Sequence, residues 1–477
     1  MKSFFLLRAL AGLPAVLLVA VSAVGQPVRI DCSYPGGNVK VVRVDEAKGV
    51  VEFAPDLRDT TEDWFWFNFR VRGAEGRTLT FVGAPGYPRL GPLGPAVSTD
   101  GGETWRWLRT EPSAEEHSFD YAFAPTDKEV RFAFAMPYLQ KNWEAFLRRI
   151  GPRDGLREGV LLTTARGRKA ELLTLEPEGG ATPWFLMVFT ARHHACEASA
   201  NPVMEGLVEE LVSGSEAARF VRRNARCLFV PFVDKDGVED GDQGKGRNGA
   251  DHNRDYRRER YPEIRALKAL VQDASRGLRI IHNDLHSPWT RGKEHDHFYS
   301  LGPRDVKAAA RWELFRTVFA EEQAKGRLRY EPNWDIPSGI GYNQDKSYNL
   351  ESGNLNATRW FGGLPNAWCS FCLEFGYGLC GGVYSPEGAR EIGRSIVRAW
   401  ARTIALADRT DFDVRGFGAR GDGETKDTAS LQRAIDAAGA AGGEQPFAGR
   451  EQGLRAGRGR QLHTAQLGER DSPGVGQ

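Results

Sequence analysis

The sequence predicts an α/β domain whose mixed, largely parallel sheet is flanked by helices, preceded by an antiparallel β-sandwich domain. Three observations carry this. The chain has 477 residues, more than one ordinary domain holds. Residues 27 to about 145 are short runs of β-branched and aromatic residues cut by Gly and Pro. From about residue 155, strand-like apolar runs alternate with helical ones.

The first 26 residues, MKSFFLLRALAGLPAVLLVAVSAVGQ, carry Lys2 and Arg8, then an apolar stretch, then small residues. Ala23 and Gly25 fit a small-x-small cleavage signal, so residues 1–25 read as a signal peptide cut before Gln26. A membrane anchor is the competing reading, since the run from Ala9 to Val24 approaches spanning length. Pro14 and the small-residue exit favour cleavage. No other segment is long and apolar enough to span a bilayer. The expected mature protein is exported, periplasmic or extracellular, with no stable membrane insertion.

The β domain is expected over 27–148. Its strand candidates include NVKVVRVD, VVEFAP, DWFWFNFRVRG and RTLTFVG. STDGGETW, Ser98 to Trp105, fits a turn built on Asp100 and two glycines. It is similar to the Asp-box hairpin of sialidase propellers, but it occurs once, so it reads as a local hairpin. PYLQKNWEAFLRRI is expected to be a short helix joining the two parts.

The α/β domain is expected over 150–408. Its strand candidates are PWFLMVFT, ARCLFVPFV and GLRIIHNDL. PVMEGLVEELV, PEIRALKALVQDA, VKAAARWELFRTVFAEEQA and EGAREIGRSIVRAWARTIALA are the helices. In the tail, 409–477, Gly416, Gly418 and Gly421 make a G-x-G-x-x-G without the strand and βαβ unit that a dinucleotide loop needs. The stretch FGARGDGETKDTASLQRAID instead resembles the opening of pectate-lyase-like β-helix domains. The residues after it lack strand periodicity, so a truncated opening with a disordered end is expected.

Composition narrows function only a little. The chain is 41% hydrophobic and 27% charged, with net charge +1. That balance gives no electrostatic footing for a nucleic-acid partner. Six cysteines are too sparse for a disulfide framework, and the CxxC of Cys369 and Cys372 has no second copy, so it reads as structural. Oligomeric state leaves no mark in the sequence.

The chemistry is concentrated in four places. ARHHACE follows an apolar strand and offers His193, His194 and Glu197. His194 and Glu197 are spaced H-x-x-E, which a tight turn can aim at one ion; His193 gives H-x-x-x-E. IIHNDLHSPW ends another strand with His282 and His286. DHNRDY sets Asn253 beside Arg254 after a Gly-rich loop. WCSFCLEFGYG places one carboxylate, Glu374, in an apolar strand, where a charge needs a partner or a function.

Together these resemble the zinc carboxypeptidases of the carboxypeptidase A family, nearest the cytosolic-carboxypeptidase-like subgroup. The resemblance covers roughly 30 to 405 and includes the leading β domain. The family's R-x-H-P-G-E corresponds to Arg192 through Glu197, with Ala195-Cys196 in place of Pro-Gly. It selects His194 over His193 as ligand. The family's D-[LI]-H matches Asp284-Leu285-His286, so His194, Glu197 and His286 are the implied ligands of one zinc ion. N-P-D-G appears as Asp234 to Gly237, and D-L-N-R-N as Asp251 to Asp255. By resemblance, Asn253 and Arg254 hold the substrate's terminal carboxylate, a role that an Arg fork beside an amide suits. Glu374 matches the general base. The oxyanion needs a cation from the preceding loop, where Lys245 and Arg247 are available and Lys245 is preferred. Tyr342 and Tyr348 are candidates for the family's mobile tyrosine.

The implied function is hydrolysis of the C-terminal bond of a peptide or protein partner. One alternative is a zinc amidohydrolase acting on small acyl-amino acids or peptidoglycan stem peptides. Its aspartoacylase-like relatives share H-x-x-E and a distant His, but usually lack a leading β-sandwich and an export signal. A non-enzymatic glycan-binding module is a further alternative; it predicts a broken site, whereas His194, Glu197, His286 and Glu374 are all present.

Overall fold

Contacts divide the chain into two units, one formed by residues up to Leu139 with Gly237–Gly249, the other by Gln140–Asp236 and Ala250 onward. The computed structural model describes residues 26–60, 65–85, 90–113, 117–247, 250–288 and 297–410, with 428 and 432. The expected signal peptide and, apart from residues 428 and 432, the stretch expected to open a β-helix lie outside the described residues.

The first unit holds strands β1 (Arg29–Asp31), β2 (Lys40–Asp45), β3 (Val50–Ala54), β4 (Asn68–Arg72), β5 (Thr78–Gly83), β6 (Ala96–Ser98), β7 (Arg106–Trp107), β8 (Ser118–Ala122) and β9 (Val130–Ala133). They form two sheets, ordered β1-β4-β9-β6-β7 and β2-β3-β5-β8. Phenylalanines join the sheets face to face: Phe53 of β3 lies 5.1 Å from Phe69 of β4, and Phe81 of β5 lies 5.0 Å from Phe132 of β9. Pairing is antiparallel except between β3 and β5, which are parallel. The chain crosses to the other sheet through β4 before returning, so β3 and β5 run the same way. The Ser98–Trp105 hairpin is closed by Asp100, whose carboxylate accepts from Ser98 Oγ at 2.7 Å and from the Glu103 and Thr104 amides at 3.0 Å.

The segment Gly237–Gly249 belongs to this unit although 236 and 250 belong to the other. Gln243 works as an extra peptide group: its side chain accepts from Trp66 N and donates to Trp66 O, each at 2.8 Å. Asn38 Nδ2 donates to Gly241 O at 2.9 Å. Such long-range pairing is invisible to local periodicity.

The second unit contains α1 (Gln140–Ile150), β10 (Leu156–Thr163), β11 (Lys169–Leu175), β12 (Phe185–Ala191), α2 (Ala200–Leu211), α3 (Glu216–Asn224), β13 (Ala225–Val230), α5 (Pro262–Ala274), β14 (Arg279–His286), β15 (Phe298–Leu301), α6 (Val306–Gln323), α7 (Ala357–Gly362), β16 (Ala367–Phe375) and α8 (Pro386–Thr410); α4 (Lys235–Asp240) straddles the division. The helix expected as a joint, α1, thus belongs to the second unit. Seven strands form one mixed sheet, ordered β10-β11-β13-β12-β14-β16-β15. The four central strands, β13, β12, β14 and β16, are mutually parallel, and the edges are antiparallel.

Period-2 alternation sends each strand's residues to two buried faces, which is why these strands read as continuous apolar runs. Leu186, Val188, Leu228, Val230 and Ile280 pack with Ile264, Leu267 and Val271 of α5 and Phe361 of α7. On the opposite face, Phe371 meets Phe315 of α6 and Trp400 of α8. Cys369 and Cys372, three apart on β16, fall on opposite faces; among the described residues no disulfide forms. Among the described residues no helix is long and apolar enough to cross a membrane.

Candidate active site

The site gathers at the C-terminal ends of the parallel strands, where an open α/β sheet leaves backbone turns and side chains available to a ligand. β12 ends at Ala191, and Arg192 takes a left-handed backbone, φ 60°. The turn behind it swings His193 and His194 in different directions. His286 is the last residue of β14, in register with Glu374 on the adjacent β16. Paired positions on parallel strands share a face, so these two side chains emerge side by side.

His194 Nδ1 lies 2.7 Å from Glu197 Oε1, and His286 Nδ1 lies 2.7 Å from Glu197 Oε2. All three residues are buried, at 4%, 3% and 3% exposure. The outward nitrogens face carboxylates: His194 Nε2 is 3.2 Å from Asp251 Oδ1, and His286 Nε2 is 2.8 Å from Asp284 Oδ2. Burial alone would lower the His194 and His286 pKa values, but the surrounding carboxylates raise both. Burial would raise Glu197; the charges of His194 and His286 instead hold it below the usual carboxylate range.

This arrangement fits a metal. A carboxylate behind each imidazole fixes a proton on Nε2 and leaves the Nδ1 lone pair aimed at Glu197. Two lone pairs converging on an anion are satisfied by a cation between them. Two imidazoles and one carboxylate are a donor set of catalytic zinc. The sequence-derived ligands His194, Glu197 and His286 are thus brought together within one group whose donor atoms lie within 4.8 Å of each other.

Glu374 is buried, with Cys372 Sγ donating to its Oε1 at 3.6 Å. Arg254 donates from Nη1 to the Asn253 carbonyl at 2.7 Å and stacks on the Tyr348 ring at 4.9 Å. Asn253 is turned inward. Its Oδ1 accepts from Ala357 N at 2.8 Å, which orients the amide so that Nδ2 lies 2.9 Å from His286 Nε2 and donates to Asp284 Oδ2 at 3.2 Å. The structure therefore ties Asn253 to the ligand support.

Lys245 and Arg247 belong to the first unit. There Arg247 Nη2 pairs with Asp242 at 2.7 Å, and its Nε lies 3.7 Å from Asp59. Tyr342 shares a 2.7 Å hydroxyl contact with Tyr299, the register partner of Glu374 on β15. Burial of its hydroxyl, then the Glu374 carboxylate, pushes the Tyr342 phenol up, while the residue as a whole remains 38% exposed. Tyr348 is buried between Arg254 and Arg359. His282 is a neutral core residue: burial depresses it to about 3, and its ring stacks on Phe361 at 3.6 Å.

Sequence reasoning gave no role to Asp251, Asp284, His193 or Tyr256. One signal was available for Asp284. In HNDLH, positions 282, 284 and 286 of a strand share a face, so Asp284 necessarily points with His286. Tyr256 meets His193 across 63 positions and left no local sign.

Residues 30–135 match the family model described as the cytosolic carboxypeptidase N-terminal domain. An uncharacterized protein of Zymomonas mobilis is 28% identical over 247 residues, 50% of this chain and 62% of the relative. Cytosolic carboxypeptidase 6 of Caenorhabditis elegans is 24% identical over 283 residues, 54% of this chain and 61% of the relative. The chain thus spans about three fifths of the length of these relatives. Among solved structures, a metallo-carboxypeptidase from Burkholderia cenocepacia superposes with TM-score 0.62 at 19% identity, over 80% of this chain and 99% of that one. A metallo-carboxypeptidase from Pseudomonas aeruginosa, in complex with (2-guanidinoethylmercapto)succinic acid, gives TM-score 0.61 at 20% identity, over 79% and 99%. The fold is therefore the metallo-carboxypeptidase fold: a mixed sheet flanked by helices, preceded by an antiparallel sheet domain. The resemblance of the C-terminal stretch to a β-helix opening finds no support in these comparisons.

Proposed function

We propose that this chain is a zinc-dependent carboxypeptidase that removes C-terminal residues from peptides or proteins. The observation that carries the reading is the pair of inward Nδ1 atoms, each 2.7 Å from one oxygen of Glu197 and each backed by a carboxylate on the other ring nitrogen. Zinc held by His194, Glu197 and His286 would supply Lewis acidity at this site.

The chain's own residues do the rest. Glu374 accepts the proton of the attacking water and delivers it to the departing amine. Arg254 holds the substrate's free carboxylate, and the Tyr348 ring behind it limits how the guanidinium can turn. Asn253 supports the ligands rather than meeting the substrate alone. Tyr342, exposed and within the influence of Glu374, covers the bound peptide. Export follows from Lys2, Arg8 and the small residues before Gln26; an intact mass that begins at Gln26 in secreted material checks it.

The test is a pool of free and amidated peptides incubated with the zinc-loaded mature chain and followed by mass spectrometry. Stepwise shortening of the free peptides alone is expected. Cleavage of neither pool by a zinc-loaded chain would replace this reading with the small acyl-amino acid hydrolase. Glu374→Gln is expected to keep zinc and to lower kcat by about a hundredfold or more, whereas His194→Ala loses both. Arg254→Ala should cost about tenfold or more on free peptides; an equal loss on amidated peptides would remove its assignment.

A further inference from the structure

The segment that carries Tyr342 is stitched to β15. The Ile336 amide donates to the Ser300 carbonyl and the Gly302 amide to the Ile336 carbonyl, both at 2.9 Å. Asp335 Oδ1 accepts from the Ser300 amide at 2.6 Å, and its Oδ2 accepts from Arg316 Nε at 2.9 Å and from the Tyr330 hydroxyl. At the other end, buried Asn343 donates from Nδ2 to the carbonyls of Gly302 at 2.9 Å and Ile336 at 3.0 Å. Between these anchors the chain turns at Gly339, whose left-handed φ of 88° suits glycine and whose amide donates to the Asn343 carbonyl at 2.8 Å. Tyr342 is therefore the residue before a buried anchor, in a loop closed on itself.

Its side chain has an anchor of its own. Tyr299 is buried on β15, directly across the antiparallel pair from Glu374, so the two side chains share a face of the sheet. Tyr299 packs in one apolar cluster with Leu301 and Cys372, against Trp334 and Ile336. That packing fixes where its hydroxyl lies, 2.7 Å from the Tyr342 hydroxyl. Either oxygen can donate, and the contact is made whichever does. The Tyr342 ring is thus held near Glu374 at its hydroxyl end, although the residue as a whole is 38% exposed.

We infer that Tyr299 is a positioning residue that sets Tyr342 beside Glu374 before any substrate binds. The inference rests on the carboxypeptidase reading above, in which Tyr342 covers the peptide. A tyrosine held at its backbone and at its hydroxyl is a preset cover, not one that swings in on binding. Presetting shows in affinity: if the competent place is only partly populated, the apparent dissociation constant rises by the inverse of that fraction. Once the peptide is bound, its own contacts hold the cover, so turnover changes little. Loss of the Tyr299 hydroxyl therefore appears in KM and acts only through Tyr342.

The experiment measures kcat and KM of the full zinc-loaded mature chain on a free peptide that the wild type shortens. Tyr299→Phe, Tyr342→Phe and the double variant are compared. Tyr299→Phe should raise KM about three- to tenfold, the weight of one hydroxyl pair, and leave kcat within about twofold. The double variant should match Tyr342→Phe, because Tyr299 then has no hydroxyl to hold. Wild-type kinetics in Tyr299→Phe overturn the inference. So does a fall in kcat alone, or a Tyr299→Phe penalty that persists in full beside Tyr342→Phe, which would place its effect on Glu374 or on packing. Hydrogen exchange in Glu374→Gln, with the same peptide added uncut, tests the point without touching Tyr299, and it decides if Tyr299→Phe does not fold. The amides of Ile336, Gly339 and Asn343 should be as protected before the peptide is added as after. Protection gained only with the peptide overturns the inference, since the cover then closes on binding. A wild type that shortens no free peptide overturns the carboxypeptidase reading and this inference with it. A contrary result at Tyr299 or in the exchange leaves that reading standing and removes only this one.

Discussion

Arg192 shows how a single side chain holds the ligand loop. Its left-handed backbone, φ 60°, is uncommon for a residue with a Cβ and costs about 1 kcal/mol. The guanidinium offsets this: Nη1 donates to Asn201 Oδ1 at 2.8 Å, and Nε donates to the Ala195 carbonyl at 3.0 Å. Asn201 is anchored in turn on Pro231 O at 2.8 Å. The loop between His194 and Glu197 is thus closed on itself by a buried planar fork, which lysine cannot reproduce. Arg192→Lys should lower stability by about 1.5–3 kcal/mol and weaken zinc. Arg192→Gly should relieve the backbone yet lose zinc as well. Wild-type zinc affinity in the glycine variant, read by chelator competition, would show that the backbone turn alone sets the loop. At this scale His194, Glu197, His286 and Glu374 were legible, because motif spacing and strand ends fix where they point. The braces behind them were not, because Asp251 reaches His194 across 57 positions and Tyr256 reaches His193 across 63.

Helices α2 and α8 touch backbone to backbone. A Cβ on Gly206 would lie 2.0 Å from Arg390 O, and one on Gly393 would lie 2.0 Å from Val203 O. Exposed helical Gly→Ala changes gain up to about 1 kcal/mol; here overpacking reverses the sign. Gly393→Ala should destabilise by about 1–3 kcal/mol or more, and a raised urea midpoint would refute the close contact. Of the ion pairs flanking this seam, Glu209 with Arg394 at 2.6 Å is partly exposed and contributes little by comparison, whereas Glu205, held by Arg390 at 3.0 Å, is buried. In the first unit, β1 and β4 are joined by Asp31 and Arg70, whose Nε lies 2.9 and 3.0 Å from the two carboxylate oxygens. Burial opposes ionisation of Asp31, but the Arg70 hydrogen bonds, the Ser33 amide and the charges of Arg70 and Arg72 together outweigh it and lower its pKa. A depressed carboxylate contributes stability that is full above its unfolded value, about 3.9, and is lost as pH falls through the folded one. Arg70→Gln should therefore lower the melting temperature at pH 7 and leave it nearly unchanged at pH 2. A constant difference at both pH values would refute the pair's part in acid stability. The long helices and central strands were legible from periodicity. The parallel β3–β5 pair was not, because no local pattern says which sheet β4 joins.

At the scale of the whole molecule, the chain leaves the second unit at Asp236, folds Gly237–Gly249 into the first, and returns at Ala250. One residue further on is Asp251, which braces His194, followed by Asn253 and Arg254. The segment carrying these three residues therefore follows directly on one that belongs to the first unit. Asn38, Arg58 and Trp66 hold it by hydrogen bonds to Gly241, Asp242 and Gln243, so deleting residues 26–139 takes away all of those partners at once. A chain starting at Gln140 should fold its seven-stranded sheet, since that sheet draws no strand from the first unit. It should nonetheless bind zinc more weakly and lose turnover, because the segment that leads into Asp251 has lost those partners. Gln243→Ala in the full chain is the graded version: it removes two 2.8 Å hydrogen bonds to the backbone of Trp66 and leaves every ligand in place. Its expected signature is a raised KM for free-carboxylate peptides with zinc affinity reduced less than in the truncated chain. A truncated chain with wild-type zinc affinity and turnover would mean that the catalytic sheet fixes Asp251 and Arg254 unaided, and that the β unit serves some purpose other than bracing this loop.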